Sequence, residues 1–158
     1  MTWKNLSALI LVSASLLGLA GCGTEDVIPG NVIADNFGVT VELSWSTGGS
    51  ALVAVREADL DLKLVAGDTI FSESRFANQF EQLRILGVDA NGEYVARVVL
   101  AASAKPVDFT VTVRGVSNVN ANVYRVTKTF ADTDPDGTEQ LAVVITKTAG
   151  QFTIRSGD

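Results

Sequence analysis

The chain has 158 residues, with 12 Lys and Arg against 18 Asp and Glu, a net charge of −6, one cysteine and no histidine. Its acidic, scattered charge argues against nucleic acid as a partner, because phosphates need a basic stripe. Without histidine there can be no Ser-His-Asp triad, His-ligated zinc or imidazole acid–base pair, and a single cysteine cannot form a disulfide within the chain.

Residues 1–5 carry one cation, Lys4, and residues 6–19 (LSALILVSASLLGL) are apolar or small. That run has the length of a signal-peptide core and falls short of the ~20 apolar residues a bilayer-spanning helix needs. It ends in Leu19-Ala20-Gly21-Cys22, which resembles the lipobox of bacterial lipoproteins. The resemblance implies a diacylglyceryl group on the thiol of Cys22, cleavage before it by signal peptidase II, and often acylation of the new amine. Small Ala20 and Gly21 suit a narrow protease subsite. Two acyl chains, at about 0.8 kcal/mol per buried methylene, suffice for a stable anchor. Ordinary secretion with cleavage after Ala20 and an uncleaved anchor helix are the alternatives.

The lipobox reading makes the membrane a partner through the lipid and places the chain in the cell envelope. Gly23 favours the outer membrane in a Gram-negative cell, by analogy with the inner-membrane retention signal of enterobacterial lipoproteins, an Asp at that position. With Lys4 removed, eleven cations face 18 anions, a balance of −7. Residues 23–31 (GTEDVIPGN) lack periodicity, hold the turn signal Pro29-Gly30, and reach about 30 Å at ~3.3 Å per residue. The expected organisation is a signal peptide over 1–21, a lipidated cysteine and short tether over 22–31, and a single β-sandwich domain over 32–158.

From there the period is two. Val39, Val41, Leu43 and Trp45 alternate with Thr40, Glu42, Ser44 and Ser46, and Leu60, Leu62 and Leu64 alternate with Asp59, Asp61 and Lys63, the pattern of half-buried strands. Leu83 and Ile85 flank Arg84; Tyr94, Ala96, Val98 and Leu100 line one face of 93–102; Phe109, Val111 and Val113 alternate with Thr110, Thr112 and Arg114. Further strands are expected at 122–130, 140–147 and 151–155, with shorter ones near 32–36 and 69–73. Two short stretches, 50–58 and 74–82, read as helix or loop. The gaps carry turn chemistry in Gly48-Gly49, Asn91-Gly92, Lys105-Pro106, Asp136-Gly137 and Ala149-Gly150. Eight to ten such strands predict an all-β fold, a two-sheet antiparallel sandwich of jelly-roll or immunoglobulin-like type.

Within 39–115, the segments VELSW (41–45), ADLDLKL (58–64), FEQLRI (80–85), GEYVARV (92–98) and PVDFTVTV (106–113) resemble the bacterial pre-peptidase C-terminal domains. The resemblance implies a jelly-roll-like module with a role in secretion, localisation or substrate binding, and calcium in some relatives. It covers about half the chain. The linker over 47–58 is longer than the pattern, no catalytic domain accompanies the module, and the strands after 120 lie outside the match.

The chemistry left is that of carboxylates. Glu42, Asp59, Asp61, Glu81 and Glu93 sit at strand positions, where the simplest reading is the polar, outward half of alternating strands. A glycosidase pair roughly 5–9.5 Å apart is the alternative. Asp132, Asp134, Asp136 and Glu139 resemble the opening of a calcium loop, in which oxygens at alternate positions converge on one cation. Pro135 interrupts the pattern, Val143 stands where an EF-hand needs glutamate, and a charged turn through Asp136-Gly137 is the competing account. Asp59 and Asp61 repel each other unless solvated or bridged, with Lys63 next on their face. Trp45 is expected in the core, and among Phe71, Phe76 and Phe80 one ring is a candidate for an exposed contact. No residue is assigned a catalytic role, and calcium is the one cofactor the sequence suggests. The expected function is a non-catalytic binding, adhesive or assembly role at the envelope, with an envelope protein or glycan as partner. The alternatives are a carboxylate-dependent enzyme acting on glycans and an accessory subunit marked by a contiguous exposed apolar patch.

Overall fold

The computed structural model describes residues 30–76, 80–117 and 122–158. The signal segment, Cys22 and most of the tether lie outside them. Ten strands and one short helix follow in order: β1 (Val32–Ala34), β2 (Gly38–Ser46), α1 (Ala51–Glu57), β3 (Ala58–Ala66), β4 (Thr69–Ser74), β5 (Phe80–Leu86), β6 (Gly92–Ser103), β7 (Val107–Gly115), β8 (Tyr124–Phe130), β9 (Glu139–Thr148) and β10 (Gln151–Ser156). They form two antiparallel sheets, one of six strands ordered β1-β10-β9-β6-β3-β4 and one of four ordered β5-β2-β7-β8. The chain is an all-β sandwich.

Period-two alternation decides which way each strand faces. On β2, β3, β6 and β7 the residues Val39, Val41, Leu43, Leu60, Leu62, Leu64, Val98, Val111 and Val113 are fully buried, and with Phe109, Phe130, Ile145 and Phe152 they join one hydrophobic cluster between the sheets. A single large-to-small truncation there, such as Leu62→Ala, costs about 2–5 kcal/mol. Trp45 is buried in the same cluster, and its indole Nε1–H donates to the Ala58 carbonyl at 3.3 Å.

The two stretches open between helix and loop divide. Residues 51–57 are helical, with the Ser50 carbonyl accepting from Val53 and Ala54 at 2.9 and 3.0 Å; Ala54 is the helix's buried residue. The stretch 74–82 is no helix in its described part, since β4 ends at Ser74 and β5 begins at Phe80. Its alternation of exposed and buried residues runs unbroken from Phe80 to Leu86. Sheet pairing also reaches one residue into the expected tether, where the Asn31 carbonyl accepts from Ile154 at 2.8 Å.

The sandwich has two unlike sides. On one, β1 and β8 are the sheet edges, and Asn122 before β8 donates to the Val32 carbonyl at 2.9 Å. On the other, β4 and β5 are the edges and lie beside each other.

Candidate functional site

The β4/β5 side holds six of the ten exposed large apolar residues among the described residues. Among the described residues, Ile70, Phe71, Phe76, Phe80, Leu86 and Val88 are all exposed, and all lie on these two strands or the segments flanking them. The sequence suggested one exposed ring; the structure exposes three. A register shift explains Phe71. Leu64 faces Ser72 while Val65 faces Ile70, so Phe71 is the extra residue of a bulge and has no partner across the ladder. Its ring tilts over the side of the core and meets Tyr94 edge-on, with centroids 5.1 Å apart.

Beneath this rim lies Glu81. It is 1 % exposed and shares the inward face of β5 with Leu83 and Ile85. The expectation that it belongs to the outward, polar half of its strand is therefore corrected. Its Oε2 accepts the Leu62 backbone N–H at 2.7 Å and its Oε1 accepts that of Phe76 at 2.6 Å. One carboxylate thus ties the edge of the four-stranded sheet to β3 of the other sheet and to the segment after β4. Burial pushes its pKa up to about 7, against the pull of the two N–H donors, and the nearby charges of Asp61 and Asp59 add to the rise.

Between the two edge strands runs an open groove of about 530 Å³ lined by Phe71, Ser72, Gln82, Leu83, Arg84, Leu86 and Asp89. Its apolar residues come from both sheets. Asp89 turns inward on its own loop, accepting the Leu86 backbone N–H at 2.6 Å. Arg84 is exposed and makes no ion pair or side-chain hydrogen bond among the described residues.

The other carboxylates are spread over the molecule. Glu42 does face outward on β2, yet it is buried beneath Gln82, which donates to Oε1 at 3.0 Å, and Arg114, which binds Oε2. Glu93 is exposed and pairs with Arg155 at 3.5 Å. Asp59 and Asp61 lie half-buried on the outer face of β3; burial first, and Asp59 second, raise the Asp61 pKa. Asp59 Oδ1 is buried without a hydrogen-bond partner among the described residues. Lys63 bonds Glu139 at 2.6 Å, and its charge offsets part of the rise at Asp61.

That pairing occupies one member of the 132–139 constellation. Asp134 is occupied too, accepting the Ala131 N–H at 2.9 Å within a tight turn. Thr138 closes the loop on the Pro135 carbonyl through its N–H at 3.0 Å and its hydroxyl at 2.6 Å, and Gly137 adopts a φ of +87°. Among the described residues, no group of three or more acidic side chains is placed to hold a metal ion.

Groove residues such as Arg84, Leu86 and Asp89 were not singled out from the sequence, because nothing local marks them. Glu81 was a candidate for the wrong reason; its phase with Leu83 and Ile85 was the available signal. Compared with family models, with curated proteins and with solved structures, the chain gives no match.

Proposed function

We propose that this chain is an envelope lipoprotein, held to the membrane by lipid on Cys22, whose sandwich binds or assembles with a partner without catalysis. The observation that carries the binding role is the exposed apolar rim of β4 and β5 over an open groove. Exposed apolar residues scattered singly mean little, but a collection along one edge marks an interaction site. The acidic balance of the chain keeps nucleic acid out of the proposal.

Glu81 has the raised pKa of a catalytic acid. Its environment speaks for a structural role: it is buried, and each of its oxygens already accepts a backbone N–H. Glu42 is likewise engaged by Arg114 and Gln82.

Photocrosslinking in intact cells tests the partner surface. A photoreactive residue at Ile70 or Phe76 is expected to give adducts that the same residue at Thr127, on β8, does not. Adducts of equal yield at all three positions, or none at the rim, would refute the binding surface. Membrane fractionation tests the anchor. Cys22→Ser is expected to move the chain into the soluble fraction, and a variant that stays with the membrane would refute the lipobox reading.

A further inference from the structure

We infer that the β4/β5 groove receives an extended polypeptide segment with apolar side chains at alternate positions and an acidic side chain opposite Arg84. The inference rests on the reading of the rim as a partner surface and adds the chemistry of the partner.

Three observations narrow the occupant. First, the groove lies between two sheet edges, so its borders offer backbone N–H and C=O groups as well as side chains, which is what strand addition uses. Second, the apolar residues are strung along the strands rather than gathered in a pit. Of the groove's lining, Phe71 stands on β4 and Leu83 and Leu86 on β5, while exposed Phe80 begins β5 outside that lining. Seven residues of β5 span about 23 Å at ~3.3 Å each, which suits an extended segment better than a compact small molecule. Third, the two charged groups of the groove differ in availability. Asp89 has one oxygen engaged by the Leu86 N–H, whereas Arg84 has no partner among the described residues. On a chain with net charge −6 an unpaired guanidinium in a groove of mixed apolar and polar lining favours a carboxylate, which its planar fork can bind through two hydrogen bonds.

The edge strands are only partly blunted against such a segment. Natural edges are commonly blunted by lysine, proline, bulges or inward-pointing charges. Here β4 has its bulge and β5 has inward-facing Glu81, while neither contains lysine or proline. The bulge displaces Phe71 toward Tyr94 and leaves it as one wall of the groove.

Fluorescence anisotropy with the purified full chain tests the inference. The probe is a short, end-blocked, labelled peptide alternating valine and threonine, with one aspartate at its centre. It is expected to bind, and replacing its aspartate with lysine is expected to weaken binding about tenfold. Arg84→Glu should reverse the order of the two probes. Because Arg84 is exposed and unpaired, this variant leaves the fold intact. Leu86→Ser should weaken both probes, and a probe with proline at alternate positions should not bind, since it cannot complete a ladder. Equal binding of the aspartate and lysine probes, equal binding of the proline probe, or no effect of Arg84→Glu would overturn the inference. So would a self-associated chain in sedimentation that the aspartate probe fails to dissociate, which would assign the groove to a second copy. Crosslinks at Ile70 with no probe binding would remove the extended segment and keep the partner surface; absence of both removes the surface itself.

Discussion

The two sides of the sandwich end their sheets by different means. On the β1/β8 side, polar groups do the closing. Lys128 faces inward in phase with Val126 and Phe130, and its ammonium reaches the Leu141 carbonyl at 2.8 Å and the Gly157 carbonyl as well. Asp35, just after β1, is buried and accepts from the Phe37 and Ser117 N–H groups at 2.8 and 2.7 Å and from the Ser117 hydroxyl at 2.8 Å. On the β4/β5 side the closing group is one buried carboxyl, Glu81, but the surface above it carries exposed apolar side chains. An inward charge on an edge strand therefore accompanies a finished surface in one place and a docking surface in the other. What separates them is the outer layer: Arg125, Thr127 and Thr129 are the exposed residues of β8, against Phe80 and Leu86 at the ends of β5.

The strongest way to break this comparison is to remove Glu81. At pH 5, Glu81→Ala leaves the N–H groups of Leu62 and Phe76 without their acceptor, an expected loss of about 3 kcal/mol in urea unfolding. A loss under about 1 kcal/mol would mean that the two sheets are held at this side by apolar packing alone.

A pH series sharpens the same point with nearly the same magnitude. Folding raises the Glu81 pKa from 4.5 to about 7, so the folded state holds this proton more tightly than the unfolded chain. Its contribution to stability is then fully present below pH 4.5 and is lost as pH rises through 7, on the order of 3 kcal/mol in all. The stability difference between the native chain and Glu81→Gln should shift by that amount between pH 4.5 and 8. A flat difference would show that Glu81 does not titrate in this window.

On the opposite side, Lys128→Ala strips the Leu141 and Gly157 carbonyls of their donor. A cost of about 1–2 kcal/mol is expected, measured by thermal unfolding. The smallest effect belongs to the rim. Ile70→Lys replaces an exposed side chain and should change stability by no more than about 0.5 kcal/mol, while reducing the binding of a hydrophobic dye. A large loss of stability there would mean the rim belongs to the core and is no docking surface.

Much of this was legible in the sequence, and the reason is periodicity. The alternation from Val39 to Trp45 and from Leu60 to Leu64 assigns the buried faces of β2 and β3 correctly, because a half-buried strand has one dry side and one wet one. The same logic applied to Leu83 and Ile85 leads back to Glu81, but a carboxylate on an apolar face contradicts hydropathy. The short helix does not stand out from a loop in the sequence, because seven residues with one buried position carry little pattern. The groove could not be read at all. Its walls come from 71–72 and 82–89, which meet because the chain crosses between sheets after β4, and no local pattern records that neighbourhood. At 132–139, Asp134 accepts from Ala131 and Glu139 pairs with Lys63, partners that the alternation of aspartates does not record.

The position of β1 has a mechanical consequence. It is one edge of the six-stranded sheet and β4 is the other, separated by five strand spacings, about 24 Å at ~4.8 Å each. Any restraint acting on the chain before Gly30 grips the sandwich by its sealed side. The rim then sits at the far end of a rigid arm, aimed away from the point of attachment. A load drawing the rim away from that point would act across the strands of the larger sheet, along the hydrogen bonds that join them.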